Sequence, residues 1–156
     1  MERLIKLLKE NNLTFGTVES MTGGLFAATL TSYPGVSSFY KGSLITYAAE
    51  EKIHFANVKK ETIDKYSVVS PEVALEMAQG GKTSLNVDVC LSITGNAGPS
   101  VDKGNKEVGE IYIGLAFDNK SIFKKINLKG DRNDIRSMSI KEMIEFVLQN
   151  VKNKHK

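Results

Sequence analysis

The order of elements along the chain predicts an α/β fold in layers, with a mainly parallel sheet and one strand reversed by a hairpin. Three observations carry this. Helical segments separate the early strands, as parallel connections require. Residues 87–94 form a nearly continuous apolar run, as expected of a strand covered on both faces. Two late β-type runs, 110–117 and 121–128, are joined by Asp118-Asn119-Lys120 and read as a hairpin. At 156 residues the chain suits one domain and can bury a three-layer core. Residues 1–150 are read as that domain and 151–156 as a basic tail.

Each element has a local reason. Leu4, Ile5, Leu7 and Leu8 recur at helical spacing and Asn11-Asn12 marks an end, so residues 2–11 are predicted helical. Residues 14–19 form a first strand. A polar, glycine-containing turn follows, then a helix over 22–32 that stops before Pro34-Gly35. Residues 39–47 are rich in β-formers and read as the second strand. Residues 48–55 and 59–65 suggest two short helices. Ser70-Pro71-Glu72 supplies a capping serine, proline at the first helical position and an acid in the first turn. That helix is expected to carry Val73, Ala74, Met77 and Ala78 inward and to end near Gly80-Gly81. Asp131 looks like the N-cap of a last helix with the apolar stripe Ile135, Met138, Ile144, Val147 and Leu148.

Composition narrows the function classes. The chain is 41% hydrophobic, 25% charged and 8% aromatic, ordinary for a soluble protein. Its net charge of +3 resides partly in the tail Lys152-Asn153-Lys154-His155-Lys156, too small and terminal a feature to argue for nucleic acid. The single cysteine, Cys90, excludes an internal disulfide and fits a reducing cytoplasm. Charges are spaced through residues 1–9, which argues against a signal peptide, and no apolar run approaches a membrane span. One Cys and two well-separated His, with no acidic cluster, predict neither a metal site nor a cofactor.

In open α/β sheets, ligands bind outside the carboxyl ends of the parallel strands. Those ends carry Ser20, Tyr47 and Thr94-Gly95. The stretch Thr17-Val18-Glu19-Ser20-Met21-Thr22-Gly23-Gly24 would hold a hydroxyl at a strand end and point backbone N–H groups from a helix start toward it. A nucleophile beside oxyanion donors is what amide or ester hydrolysis needs. The same local pattern also fits an N-capping residue with glycines for close packing. Ser20 needs a base. His54 lies beside Phe55 in a helical stretch and His155 is in the tail, which disfavours a Ser-His-Asp triad. A lysine can serve if burial lowers its pKa, and Lys52 follows Tyr47 by five residues, near one strand end. Read alone, Lys52 is also an ordinary surface lysine. Thr94-Gly95-Asn96-Ala97-Gly98-Pro99 is a small-residue loop that exposes backbone N–H groups to a ligand, or a plain strand exit; it is no P-loop. Arg132 could bind a phosphate at the last helix start.

Taken together, these segments resemble the CinA C-terminal domain family, over about residues 17 to 136. The matching pieces are Glu19-Ser20-x-Thr22-Gly23-Gly24; Gly42-x-x-x-Thr46-Tyr47 with Lys52; Val69-Ser70; Met77-Ala78-x-Gly80; Thr94-Gly95-x-Ala97-Gly98-Pro99; Lys106-x-Val108-Gly109; and Gly130-Asp131-Arg132 with Arg136. The resemblance implies an α/β/α sandwich with a mixed five-stranded sheet. It also implies hydrolysis of the carboxamide of nicotinamide mononucleotide (NMN) to nicotinate mononucleotide and ammonia. In that family a serine in the first motif is the nucleophile, assisted by a lysine and a tyrosine; these match Ser20, Lys52 and Tyr47. A homodimer is a further implication.

The expected site therefore comprises Ser20, Lys52 and Tyr47 for chemistry. Thr22 and Gly23 would donate to the oxyanion, Thr94, Gly95, Ala97 and Gly98 would line the nucleotide, and Lys106 or Arg132 would face its phosphate. This chain departs from the family pattern at Met21, Ala49, Asn96 and Glu107, and residues 100–105 hold fewer glycines than usual. A thioether at Met21 cannot form a thiolate, so covalent chemistry in the motif falls to Ser20 or, less directly, Thr22. The alternative to an amidohydrolase is a non-catalytic domain that keeps the pocket and binds a nucleotide or a protein partner.

Overall fold

The computed structural model describes residues 1–104 and 106–151; of the predicted tail at 151–156, Val151 is buried in the core and 152–156 lie outside the described residues. Helix α1 (Glu2–Glu10) leads to β1 (Phe15–Glu19), α2 (Leu25–Thr31) and β2 (Tyr40–Ile45). Helices α3 (Ala49–Ala56), α4 (Lys60–Tyr66) and α5 (Pro71–Leu85) precede β3 (Val89–Gly95). The hairpin β4 (Glu110–Phe117) and β5 (Lys120–Asn127) and helix α6 (Arg132–Asn150) complete the order.

The sheet order is β2-β1-β3-β4-β5. Strand β1 pairs in parallel with β2 and with β3, whereas β4 is antiparallel to β3 and to β5. Four strands thus run one way and β4 alone is reversed, as the hairpin predicts. Lys120 pairs directly with Phe117, so the turn is the two residues Asp118-Asn119, with Asp118 at φ +50°.

Each sheet face is covered. On one side Leu4 and Leu8 of α1, Phe26 and Leu30 of α2, and Ile135, Met143 and Val147 of α6 pack on Phe15, Leu91, Ile93 and Ile113. On the other, Val73 and Met77 of α5 and Ala56 of α3 meet Val18 and Cys90. Strands β1 and β4 are buried along their whole length, and β3 except at Gly95, which fits central strands covered on both faces.

Two boundaries differ from expectation. Helix α5 continues through Gly80-Gly81 to Leu85. These glycines are demanded by close approach: a Cβ on Gly80 would lie 1.6 Å from the Ala56 carbonyl oxygen, and one on Gly81 2.2 Å from Val18 Cγ2. They let α3 and β1 sit against the α5 backbone, which offsets the propensity cost of glycine in a helix. Helix α2 begins at Leu25, after a turn whose last residue, Gly24, is the N-cap at φ +96°. Helix α6 buries Ile140, Met143 and Phe146 in addition to the expected Ile135, Ile144 and Val147, while Met138 and Leu148 are half-buried. Its N-terminus carries the predicted Asp131 cap, completed by Asp134 into a capping box. No helix among the described residues is long and apolar enough to cross a membrane.

Candidate active site

The strand ends bring Glu19-Ser20, Thr46-Tyr47, Gly95-Asn96 and the start of α6 to one edge of the sheet. Ser20 leaves β1 but stays tied to β3, its N–H donating to the Ile93 carbonyl at 3.2 Å. Its own carbonyl accepts the Gly23 N–H at 3.0 Å, closing the turn. Arg136 of α6 clamps the same turn: Nε donates to the Met21 carbonyl at 3.2 Å and Nη2 to that of Thr22 at 3.0 Å.

Glu19 has a role that sequence reasoning missed. Its fully buried carboxylate accepts the N–H groups of Gly24 (3.1 Å), Phe26 (3.1 Å) and Ala27 (3.0 Å) and the Ser43 hydroxyl (3.2 Å). An anion at a helix start is favoured by the unsatisfied N–H groups there. This corrects the expectation that the helix start offers free donors to a substrate. Glu19 takes the N–H groups of Gly24, Phe26 and Ala27, Leu25 donates to the Thr22 carbonyl, and Gly23 to that of Ser20. Within this turn, the backbone donors left without a partner among the described residues are those of Met21 and Thr22. Thr22 itself is fully buried, outside the walls of the cleft, with its hydroxyl unpartnered.

Lys52 is not a surface lysine. It is 1% exposed on α3, and its Nζ lies 2.8 Å from Ser20 Oγ, 2.7 Å from the Thr46 carbonyl oxygen and 3.3 Å from that of Tyr47. Burial pulls its pKa from 10.5 to about 8, against an opposing pull from the Asp102 carboxylate. The three neighbours define what the amine can do when neutral. Two are carbonyl oxygens, which can only accept, so they take its two N–H bonds. The remaining lone pair then falls to Ser20, the one neighbour with a proton to give. A hydroxyl and a neutral amine in this arrangement form a nucleophile–base pair.

Around this pair lies a cleft of about 280 Å³ whose walls include Met21, Thr94, Gly95, Ala97, Gly98 and Arg132. The Thr94 hydroxyl is turned to the Val68 carbonyl (2.7 Å), so it fixes the wall. Arg132 bridges two sides, donating from Nη1 to the Gly98 carbonyl (2.6 Å) and from Nη2 to the Tyr47 hydroxyl (2.9 Å). Tyr47 is thus present, but its 61% exposed side chain engages Arg132, and only its backbone carbonyl meets Lys52. Lys106 does not join the cleft: it lines an adjoining hollow and faces Glu110 at 3.9 Å.

Two further wall residues were not predicted as site residues. Asp102 accepts a hydrogen bond from the Ser67 hydroxyl, and its N–H donates to Asn96 Oδ1 at 2.9 Å. Asn96 is 6% exposed. Cys90 offers no rival nucleophile, since burial raises its thiol to about 12. His54 sits edge-on to Phe55, outside the walls of the cleft. Among the described residues no group of three or more His, Cys, Asp or Glu is placed to hold a metal ion.

Comparison with known proteins agrees with this architecture. The family model described as the CinA C-terminal domain matches residues 1–151. A protein named competence-damage inducible protein from Clostridium botulinum (strain Loch Maree) is 45% identical over 150 residues, 96% of this chain and 37% of the relative. A CinA-like protein from Dictyoglomus thermophilum is 41% identical over 152 residues, again 37% of its length. The chain therefore spans little more than a third of these relatives. Among solved structures, the competence/damage inducible protein CihA from Agrobacterium tumefaciens superposes with a TM-score of 0.90 at 27% identity, covering 95% of this chain and 91% of that one. A competence or damage-inducible protein from Enterobacter asburiae gives 0.93 at 22% identity, a likeness of fold, over 97% and 95% of the two chains. With the family model matched over residues 1–151 and Ser20, Tyr47, Lys52, residues 94–98 and Arg132 gathered around one cleft, the chain belongs to the CinA C-terminal domain family.

Proposed function

We propose that the protein is an amidohydrolase that deamidates nicotinamide mononucleotide. The observation that carries this reading is the buried Lys52 amine, 2.8 Å from the Ser20 hydroxyl with its ammonium form destabilised. Neutral Lys52 takes the Ser20 proton as Oγ attacks the carboxamide carbon. The N–H of Met21, the residue of that turn which lines the cleft, is the donor for the oxyanion; one such donor is worth about 3–4 kcal/mol. Lys52 returns the proton to the departing nitrogen, ammonia leaves, and an acyl ester remains on Ser20. Water, activated by the same amine, hydrolyses the ester and releases nicotinate mononucleotide. The nucleotide lies along Thr94–Gly98, and Arg132 supplies counter-charge to its phosphate. No metal or organic cofactor is required by these steps.

One observation favours a second reading, a domain that binds a nucleotide without cleaving it. As an ammonium Lys52 also satisfies all three acceptors, and Asp102 favours that charged form. Ammonia release from NMN separates the two. The wild-type protein should release ammonia, and Ser20→Ala should abolish release while the protein stays folded by circular dichroism. Full activity in Ser20→Ala would remove the nucleophile assignment. Wild-type binding of NMN with no ammonia over hours would favour the binding domain.

A further inference from the structure

Asn96 stands at a wall of the Ser20 cleft, immediately after β3. Three of its four polar groups are engaged. Its N–H donates to the Glu110 carbonyl at 3.0 Å, its carbonyl accepts the Gly109 N–H at 2.7 Å, and Oδ1 accepts the Asp102 N–H at 2.9 Å. A backbone N–H can only donate, so that last bond fixes the amide orientation and leaves Nδ2 as the free end. Nδ2 is buried with no hydrogen-bond partner among the described residues. Buried amide donors are nearly always paired, and an orphan calls for an explanation. Two other buried side-chain atoms are in the same condition, the hydroxyls of Thr22 and Thr46, but neither residue lines the cleft. Of the three, only the Asn96 amide belongs to a residue that lines the cleft.

We infer that Asn96 is a ligand-binding residue, its Nδ2 donating a hydrogen bond to an acceptor oxygen of the molecule held in the Ser20 cleft. The identity of that molecule rests on the proposed function: NMN presents a carboxamide oxygen, the reacting one, and phosphate oxygens, and both are acceptors. Asn96 also ties the ligand to the loop beyond it. The same amide that meets the ligand holds Asp102, whose carboxylate is anchored by Ser67 and acts on Lys52.

Two measurements test this. In the first, the side-chain amide signal of Asn96 is followed by ¹H–¹⁵N correlation during titration of the wild-type protein with NMN, the signal being identified by its loss in Asn96→Asp. It should shift and saturate together with the backbone amides around Ser20. If those backbone amides move and the Asn96 side chain does not, the inference fails while the substrate assignment survives. If nothing in the protein responds to NMN, both fail. In the second, Asn96→Asp keeps an acceptor for Asp102 but removes the donor, and should cost at least about tenfold in kcat/KM. A loss in kcat places the bond on the reacting carbonyl oxygen. A rise in KM with kcat unchanged places it on the phosphate. Unchanged kcat and KM in Asn96→Asp would overturn the inference.

Discussion

Glu19 and Lys52 are two buried charged side chains at the same sheet edge, and they are treated in opposite ways. Glu19 is surrounded by donors: three backbone N–H groups and a hydroxyl meet its two oxygens. Lys52 is given two carbonyls and a serine, which serve a neutral amine as well as a charged one, and burial lowers its pKa to about 8. A shift from 10.5 to about 8 corresponds to roughly 3 kcal/mol against the charged form. The contrast separates structure from chemistry. A fully satisfied buried charge fixes the backbone that presents Ser20. A desolvated one beside it, whose partners suit the neutral amine as well as the ammonium, can give up its proton.

The largest test of this contrast is Lys52→Arg. The guanidinium keeps the positive charge but cannot lose it, so NMN deamidation should fall by at least about a thousandfold. Activity within tenfold of wild type would show that charge, not basicity, is what Lys52 supplies. Glu19→Ala comes next. It leaves the N–H groups of Gly24, Phe26 and Ala27 without their acceptor and should lower unfolding free energy by about 3 kcal/mol. The readout is the urea midpoint at constant m-value. A loss below about 1 kcal/mol would mean that Glu19 is not what holds the turn.

Much of this was legible in the sequence, for reasons that residues make plain. Ser70-Pro71 announced α5 and Asp131 announced α6, because caps are local signals. The continuous apolar run of β3 marked a central strand. The end of α5 was misplaced because Gly80 and Gly81 normally stop helices, whereas here they answer to Ala56 and Val18, partners remote in sequence. The pairing of Lys52 with Ser20, 32 residues apart, was reached by elimination of histidine and by resemblance, not by spacing. Glu19 escaped notice because its cap operates from the preceding strand, five to eight residues before the N–H groups it serves. A carboxylate closing a fully buried strand was the available clue, since such a charge must have donors. Asn96 entered as a departure from the family pattern; only the fold shows its Oδ1 occupied and its Nδ2 free.

The protonation state of Lys52 tests the account most directly. Its folded pKa lies below its unfolded value, so the neutral base is populated as pH rises through about 8, and this group adds stability as pH climbs from there toward 10.5. Titration of the Lys52 side chain by NMR, with the signal assigned from Lys52→Arg, should give a midpoint near pH 8, and kcat/KM for NMN should rise through the same pH. A midpoint above pH 10 would contradict the claim that this lysine is the base for Ser20.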